Sequence, residues 1–230
     1  MSRLNNATRG PLLCYVTDRR SLPEFEPQRA RETLLSKIEA AAASGVDWIQ
    51  IREKDLSGRD CALLAREALQ RVAKSPESNG ALARILVNDR LDVALSERAG
   101  GLHLGEQSLP LPEAKRFVGS RGEWEDFVIG VSCHSLQAAK SLASAGADYL
   151  LFGPIFATPS KAIFGAPQGL ERLAEVCRAV SLPVLAIGGI SLANASDCLA
   201  AGASGIAAIR LFQDARNMSS VVQSLRKLAR

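Results

Sequence analysis

The second apolar run of the sequence ends in polar and charged side chains whose types suit the binding of a phosphate or diphosphate. In an extended chain alternate residues face the same side, so Gln50 and Arg52 share one side and Lys54 continues it. A guanidinium and an ammonium group that converge out of water offer an anion several charge-assisted hydrogen bonds. The alternative is that these two cations pair with the adjacent acids, Glu53 and Asp55, on a solvated loop.

Asn88 and Asp89 end the third apolar run, and Asp89 has two interpretations. A carboxylate beside an anion site can hold Mg²⁺, which takes one or two carboxylates together with phosphate oxygens and water. The same residue can instead cap the following helix by accepting hydrogen bonds from its backbone N–H groups. The residue types alone leave the metal ligand and the helix cap both open.

The segment 156–165, FATPSKAIFG, is long for a strand-to-helix connection and rich in hydroxyls and turn-forming residues. Loops of this kind in a compact barrel often close over a substrate. Lys161 would then reach a diphosphate, while Thr158 and Ser160 would donate to a second phosphate. A solvated loop without such a role is the alternative.

Gly188 and Gly189 end the seventh apolar run, where glycine lets backbone N–H groups approach a phosphate closely. A tight turn needs the same residues equally. The pair is therefore only a weak signal of a phosphate site.

The chain has two histidines. His103 lies within the fourth apolar run, and we expect it to be a hydrogen-bonded core residue. His134 follows the fifth run, where it would either transfer a proton or cap the next helix. A Ser-His-Asp site is disfavoured because the sequence has no GxSxG turn.

These candidate residues need elements that bring them together, and the sequence predicts eight strands that alternate with helices. The apolar runs cover residues 12–17, 48–52, 84–88, 101–104, 127–132, 149–153, 183–188 and 205–209. Segments of helical period follow them, near residues 27–44, 58–74, 90–98, 112–118, 135–145, 169–180, 191–201 and 217–229. The runs are continuously apolar, as in YLLF and VLAI, which is typical of parallel strands covered on both faces.

This alternation predicts an α/β fold, the (β/α)8 TIM barrel, as a single domain over residues 1–230, with residues 1–11 a flexible N-terminal extension. A doubly wound open sheet also alternates strands and helices, but the count of eight units favours the barrel. In a TIM barrel the site gathers at the carboxyl ends of the strands. The polar residues described above are therefore predicted to meet at one face.

A weak internal repeat supports the barrel. Similar sequences occur at residues 44–49, 99–102, 145–150 and 201–206, where helices lead into strands. The glycine of each copy, Gly45, Gly100, Gly146 and Gly202, is predicted to adopt the left-handed conformation that ends a helix.

The composition excludes several classes of protein. The 230 residues are 47% hydrophobic and 23% charged, which suits a folded chain with a substantial core. The net charge is +4 and no five like charges are consecutive, so we expect no extended nucleic-acid-binding face. No run of eighteen apolar residues predicts a membrane span, and no apolar signal segment precedes Tyr15. Five widely spaced cysteines without a CxxC pair suit a reducing, cytoplasmic location.

Seven stretches in fixed order resemble the thiamine phosphate synthase and TenI superfamily, from about residue 15 to about residue 212. They read GVDWIQIREKDLSGRD, ILVNDRLDVAL, GLHLGEQSLP, IGVSCHSL, ADYLLFGPIFATPSK, PVLAIGGI and GASGIAAI. The resemblance implies a transferase that condenses hydroxymethylpyrimidine diphosphate with thiazole phosphate, giving thiamine phosphate and pyrophosphate. It also implies Mg²⁺ as cofactor, and cleavage of the pyrimidine carbon–oxygen bond to a stabilised carbocation that the thiazole nitrogen captures.

The resemblance also indicates which positions of this sequence correspond to the site residues of the superfamily. The resemblance implies that Arg52, Ser132 and Lys161 take part in catalysis and that Asp89 binds the metal. It assigns the pyrimidine diphosphate to Gln50, Arg52, Lys54, Asn88, Ser132 and Lys161, and the thiazole phosphate to Thr158, Ser160, Gly189, the backbone of Ile209, and Arg210.

Two positions depart from the synthase pattern. Ser108 stands where that pattern has a second magnesium-binding aspartate, so metal binding loses one carboxylate unless Glu106 replaces it. Arg210 stands where the pattern has a serine, and its guanidinium would either strengthen phosphate binding or fill the pocket.

Members that resemble TenI are thiazole tautomerases, with a serine near position 108 and a histidine matching His134. A TenI-like tautomerase, or a non-catalytic relative that binds thiazole phosphate, is therefore the alternative to a synthase. Gln50, Lys54 and Asp89 follow the synthase pattern and favour the synthase. The partners implied are small phosphorylated pyrimidine and thiazole substrates, without nucleic acid or membrane, and the resemblance allows a homodimer.

Overall fold

Eight parallel strands close into a barrel in the computed structural model, which describes residues 10–24, 26–75, 83–120, 126–158 and 166–228. The strands are β1 Leu12–Val16, β2 Trp48–Ile51, β3 Arg84–Asn88, β4 Gly101–Leu104, β5 Val128–Cys133, β6 Tyr149–Phe152, β7 Val184–Ile187 and β8 Gly205–Ala208. Each strand pairs with the next, and β8 pairs with β1. The predicted TIM barrel is confirmed, and the open doubly wound sheet is wrong because β8 closes the sheet onto β1.

The helices lie where the sequence predicts them, within about four residues at each end. They are α1 Pro27–Ser44, α2 Gly58–Lys74, α3 Leu91–Ser96, α4 Leu111–Gly119, α5 Leu136–Ser144, α6 Gly169–Ala179, α7 Ala195–Ala200, α8 Arg210–Gln213 and α9 Met218–Lys227. The sequence does not predict α8, because a single turn is too short to show a helical period. Within the described ranges, none of the helices has the length and apolar character needed to cross a membrane. The predicted extension falls mostly on residues 1–9, outside the described residues, and stays a prediction.

Inward-facing side chains of the strands form their own apolar cluster inside the barrel. It consists of Cys14, Val16, Trp48, Leu86, Val128, Tyr149, Leu151, Leu185 and Ala207. The larger core lies between the strands and the surrounding helices. Because alternate residues of a strand share a face, Gln50, Asn88 and Ser132 follow on the inward side of their strands. The interior therefore changes from apolar to polar toward the carboxyl ends of the strands.

The helix ends of the internal repeat follow the prediction in three copies of four. Gly45, Gly146 and Gly202 are left-handed, with φ of 93°, 86° and 100°. In the remaining copy Arg98, with φ of 54°, makes the turn, and Gly100 is not among the left-handed residues. The prediction for Gly100 is wrong because the turn that ends α3 comes two residues before it.

Two aspartates of the repeat tie neighbouring strands together. Asp47, just before β2, accepts a hydrogen bond from the backbone N–H of Leu13 in β1 at 2.7 Å. Asp148, just before β6, accepts one from Ile129 in β5, also at 2.7 Å. Ser204 occupies the corresponding place before β8. These carboxylates help to fix the relative positions of the strands that carry the site.

We expect Asp148→Ala to lower the free energy of unfolding by about 1–3 kcal/mol, because the Ile129 N–H would lose a charged acceptor at a partly buried position. Urea unfolding followed by circular dichroism measures this loss. Ser204→Ala is the matched control, since Ser204 is exposed at the same place in the repeat, and its effect should stay within about 0.5 kcal/mol. Equal losses in the two variants would contradict the role given to Asp148.

All five cysteines are free thiols, and four of them are buried. Burial raises the pKa of Cys133 to about 12 and the pKa values of Cys177 and Cys198 to about 11. These thiols are therefore protonated and poorly reactive near neutral pH. The four buried cysteines pack as small apolar side chains.

Candidate active site

The two acids beside the predicted cations are bound by Arg19, which lies shortly after β1. Its Nη1 and Nη2 atoms donate to the two carboxylate oxygens of Asp55 at 2.6 and 3.0 Å. Nη1 also lies 3.4 Å from Glu53 Oε2. Neither Arg52 nor Lys54 has an ion-pair partner among the described residues. The alternative that Arg52 and Lys54 pair with the adjacent acids is therefore wrong, because Arg19, which follows β1, binds both acids.

Thr17 fixes the backbone at the end of β2. Its Oγ1 accepts a hydrogen bond from the backbone N–H of Arg52 at 3.0 Å and donates to Glu53 Oε1 at 2.6 Å. Burial raises the pKa of Glu53, while the hydrogen bonds from Thr17 and Arg19 oppose that rise. Hydrogen bonding to the Arg19 guanidinium holds the pKa of Asp55 below its ordinary value. The backbone that carries Arg52 is thus held in place, while its guanidinium stays available to a ligand.

A chain of three side chains sets the orientation of the Gln50 amide. Asn88 Nδ2 donates to Asp89 Oδ2 at 2.7 Å, which leaves Asn88 Oδ1 to accept from Gln50 Nε2 at 2.8 Å. Gln50 is 1% exposed, and its Oε1 has no partner in the described part of the chain. A buried acceptor without a donor costs about 1–3 kcal/mol. Gln50 therefore presents an acceptor that a bound ligand can satisfy.

Asp89 follows β3 in the left-handed region, with φ of 61°. This conformation costs a non-glycine residue roughly 1–2 kcal/mol. The Asp89 carboxylate accepts a hydrogen bond from Ser108 Oγ, and Ser108 Oγ accepts one from the Gly105 N–H at 2.6 Å. Helix α3 begins at Leu91 without a side-chain cap. The cap interpretation is wrong, because the carboxylate turns toward the loop after β4 instead of the helix.

The donor set at Asp89 fits a magnesium ion that is bound mainly by other oxygens. Asp89 is an exposed carboxylate and Ser108 adds a neutral hydroxyl. The described ranges contain no group of three or more His, Cys, Asp or Glu side chains suited to a metal. Mg²⁺ usually keeps several waters and binds one or two carboxylates plus phosphate oxygens, so a single carboxylate is compatible with it. Glu106, the suggested replacement ligand, lies beside His134, with 3.9 Å between Oε1 and Nε2.

His103 is buried in the barrel interior, as predicted, and has a hydrogen-bond partner on each side. Its Nδ1 lies 3.0 Å from Tyr149 Oη and its Nε2 lies 2.8 Å from Ser132 Oγ. Burial lowers the pKa of His103 to about 3, with the charge of Asp89 raising it and that of Arg52 lowering it. The ring is therefore neutral near pH 7, and both charged groups act on it from the same end of the barrel.

His134 is anchored to the backbone. Its Nδ1 bonds the carbonyl oxygen of Gly153, which can only accept, so Nδ1 carries the proton. The cap of α5 is Ser135, whose Oγ accepts from the Ala138 N–H at 3.1 Å. The cap interpretation of His134 is wrong because the next residue caps the helix. Proton transfer by His134 stays a prediction.

Gly188 and Gly189 follow β7 with φ of 96° and 69°. A Cβ on Gly188 would lie 2.5 Å from Pro154, and one on Gly189 would lie 2.8 Å from backbone oxygens of Phe156 and Ala157. Both positions thus require glycine for the turn and for close packing against the segment after β6. This requirement alone does not distinguish a phosphate site from a tight turn.

The other predicted site residues lie at the ends of β6 and β8. Ile209 directly follows β8 and precedes α8, which begins at Arg210. Arg210 is exposed, and Thr158 is half-buried. Ser160 and Lys161 lie outside the described residues, so their predicted contacts stay predictions.

Three residues of the site region escape sequence reasoning: Thr17, Arg19 and Tyr149. A signal for the first two exists, because they follow β1 as the other candidates follow their strands. Tyr149 begins β6, far from the carboxyl end, and reaches His103 only through its long side chain. No local pattern marks it.

Known proteins match the chain over most of its length. A family model described as thiamine monophosphate synthase matches residues 14–212. The chain belongs to this family. A thiamine-phosphate synthase of Methanoculleus marisnigri is 45% identical over 186 residues, which cover 81% of this chain and 83% of that protein. One from Roseiflexus sp. strain RS-1 is 39% identical over 200 residues, which cover 87% and 77%.

A solved structure agrees with the fold. The thiamine phosphate pyrophosphorylase of Pyrococcus furiosus is 31% identical and superposes with a TM-score of 0.79, over 97% of this chain and 98% of that chain. Membership of the thiamine monophosphate synthase family confirms the resemblance that the sequence motifs indicate.

Proposed function

We propose that this chain is a thiamine phosphate synthase, a transferase that condenses hydroxymethylpyrimidine diphosphate with thiazole phosphate to thiamine phosphate and pyrophosphate. The observation that supports this most directly is the end of β2. There Arg52 and Lys54 have no ion-pair partner in the described residues, while Arg19 binds the neighbouring acids. Two available cations at the mouth of a barrel suit a diphosphate, which a thiazole tautomerase does not need.

The chemistry requires stabilisation of a leaving group and close positioning. The bond between the pyrimidine methylene carbon and oxygen breaks, and both electrons pass to the diphosphate. Arg52, Lys54 and Lys161 stabilise the negative charge that develops there, and Ser132 donates a hydrogen bond to it. The thiazole nitrogen then gives its lone pair to the methylene carbon. Neither bond change removes a proton, so orientation matters more than a strong base.

Gln50 and Asn88 hold the pyrimidine side of the substrate. Gln50 Oε1 is buried and lacks a partner in the described chain, so it accepts a hydrogen bond from an N–H group of the pyrimidine. Asn88 keeps the amide turned this way by accepting from Gln50 Nε2 at 2.8 Å. The amide orientation therefore selects a donor on the ligand.

Asp89 is the residue that would hold Mg²⁺. The ion, when bound, neutralises charge on the diphosphate oxygens. Because Ser108 offers only a hydroxyl beside Asp89, the described residues supply a single carboxylate there. The affinity for free Mg²⁺ should be low until a substrate adds its phosphate oxygens.

We expect Ser108→Asp to lower the Mg²⁺ concentration for half-maximal activity by about tenfold, since a charged ligand adds on the order of 1.5 kcal/mol. Without metal the two carboxylates repel each other. Added Mg²⁺ should therefore raise the unfolding temperature of this variant more than that of the unmodified protein. Ser108→Asn is the neutral control of matching size. A Ser108→Asp variant that responds to Mg²⁺ as the control does would contradict the single-carboxylate site.

The second phosphate, on the thiazole, binds on the side of the barrel formed by the ends of β6, β7 and β8. Its ligands are Thr158, Ser160, Gly189, the backbone of Ile209, and Arg210. The exposed position of Arg210 supports phosphate capture over a filled pocket, because an exposed guanidinium keeps its donors available.

The function is tested by incubating the protein with both substrates and Mg²⁺ and measuring thiamine phosphate and pyrophosphate. We expect equal amounts of the two products, and a strong loss of turnover when a chelator removes the metal. Absence of turnover with and without Mg²⁺ would overturn the proposal. Isomerisation of the thiazole phosphate that survives chelator and is lost in His134→Ala would point to the tautomerase. Stoichiometric binding without any conversion would point to the binding protein.

The free, buried thiols support a reducing, cytoplasmic location. A homodimer stays a prediction from the resemblance.

A further inference from the structure

Three residues line up across neighbouring strands inside the barrel. His103 of β4 is opposite Gly130 of β5, and Gly130 is opposite Tyr149 of β6. Because Gly130 has no side chain, the tyrosine ring occupies the space above it and its hydroxyl reaches His103 Nδ1 at 3.0 Å. On the other side of the imidazole, Nε2 lies 2.8 Å from Ser132 Oγ. The result is a buried row of hydrogen bonds that ends at a predicted substrate ligand.

The number of available protons determines which atom donates in each hydrogen bond of this row. Within the described residues, Tyr149 Oη has no hydrogen-bond partner other than His103. A buried hydroxyl proton without an acceptor is unfavourable, so the tyrosine donates to Nδ1. A neutral imidazole has one donor and one acceptor nitrogen. With Nδ1 accepting, the proton lies on Nε2, and Nε2–H donates to Ser132 Oγ.

This direction decides what the serine can offer a ligand. If Ser132 donated to His103, its proton would face the imidazole and only its lone pairs would face a substrate. With Nε2–H donating, the serine proton is free to point elsewhere. Diphosphate oxygens only accept hydrogen bonds, so they need the second arrangement. His103 is 1% exposed and both of its hydrogen-bond partners are hydroxyl groups, so no carboxylate of the described residues pairs with a charged ring and the neutral form is favoured.

We propose that Tyr149 and His103 are positioning residues that keep the Ser132 hydroxyl as a hydrogen-bond donor to the diphosphate. The proposal rests on the proposed function, because it takes the bound anion to be the pyrimidine diphosphate. Tyr149 and His103 do not touch the substrate and act only through the serine. The Tyr149 hydroxyl would thus have a role in leaving-group binding from deep inside the barrel.

The nitrogen-15 NMR shifts of the imidazoles test the tautomer directly, without any substrate. The chain has two histidines, so a spectrum of His134→Gln identifies the signals of His103. We expect His103 to be protonated on Nε2 and unprotonated on Nδ1 near neutral pH. Tyr149→Phe keeps the ring packed against Trp48, whose centroid is 4.7 Å away, and should make the Nδ1–H form appear. A His103 ring already protonated on Nδ1 in the unmodified protein would overturn the proposal.

A double-mutant cycle separates positioning from general structure. We expect Tyr149→Phe to lower kcat/KM for condensation by about tenfold, the value of one hydrogen bond to a charged group. In the Ser132→Ala background the same change should have little further effect, since its action passes through the serine. Equal losses in both backgrounds would overturn the proposal. Failure of the unmodified protein to condense its substrates, together with an Nε2–H ring, would overturn the proposed function and not the tautomer.

Discussion

Arg52→Ala lowers kcat/KM for condensation by about 10²–10³-fold, the largest loss of activity we expect from a single substitution outside the loop 156–165. The guanidinium stabilises charge that develops on the leaving pyrophosphate, so its contribution grows as the carbon–oxygen bond breaks. The side chain has no ion-pair partner in the described residues, so the fold should be little affected. Steady-state pyrophosphate release measures the rates, and thermal unfolding checks the fold.

Two further variants test whether the loss of kcat/KM depends on the position of Arg52 and on the planar shape of its guanidinium. Arg59 lies exposed near the start of α2, and Arg59→Ala should change kcat/KM by less than about twofold. Arg52→Lys keeps the charge but loses the planar fork, so it should recover only part of the activity. If Arg52→Ala were no worse than Arg59→Ala, the diphosphate site would not be at the end of β2.

Gly130→Ala should cause the largest loss of stability, about 3 kcal/mol or more, because no space exists for one additional methyl group. A Cβ at this position would lie 2.0 Å from Cζ of the Tyr149 ring. The ring is fully buried, so it can move away only by disturbing the interior of the barrel. Urea unfolding followed by circular dichroism measures the loss of free energy.

Gly119→Ala is the control for replacing a glycine by alanine. A Cβ there would meet no atom within 4 Å, and Gly119 is the last residue of α4. We expect no loss of stability and a gain of up to about 1 kcal/mol, because alanine favours a helix over glycine. If Gly130→Ala were as stable as Gly119→Ala, the tyrosine would not depend on the empty space at Gly130.

The fold could be predicted because its signals are local. Continuous apolar runs such as YLLF and VLAI identify buried parallel strands without any knowledge of distant residues. The prediction for Gly100 is wrong because the left-handed turn that ends a helix can fall at more than one position. At the end of α3 this turn is made by Arg98, and aligning the repeat on Gly100 does not reveal it.

The site was less predictable, because its contacts join residues distant in sequence. The type and spacing of Gln50, Arg52 and Lys54 indicate an anion site, and the structure places Gln50 on the inward side of β2, where its amide donates to Asn88. The ion pairs of Arg19 with Glu53 and Asp55 depend on β1 lying beside β2. The contact between His103 and Tyr149 depends on the register of three strands. Neither fact can be read from a single segment.

The positive charge of Arg52 and Lys54 at the end of β2 also affects the rates at which the diphosphate substrate enters the barrel and pyrophosphate leaves it. A positive entrance speeds the arrival of a diphosphate, over a range of about 8 Å in physiological salt. The same attraction acts on pyrophosphate after the bond has broken and slows its departure. Fast capture and slow release therefore have one origin, and dissolved ions weaken both together.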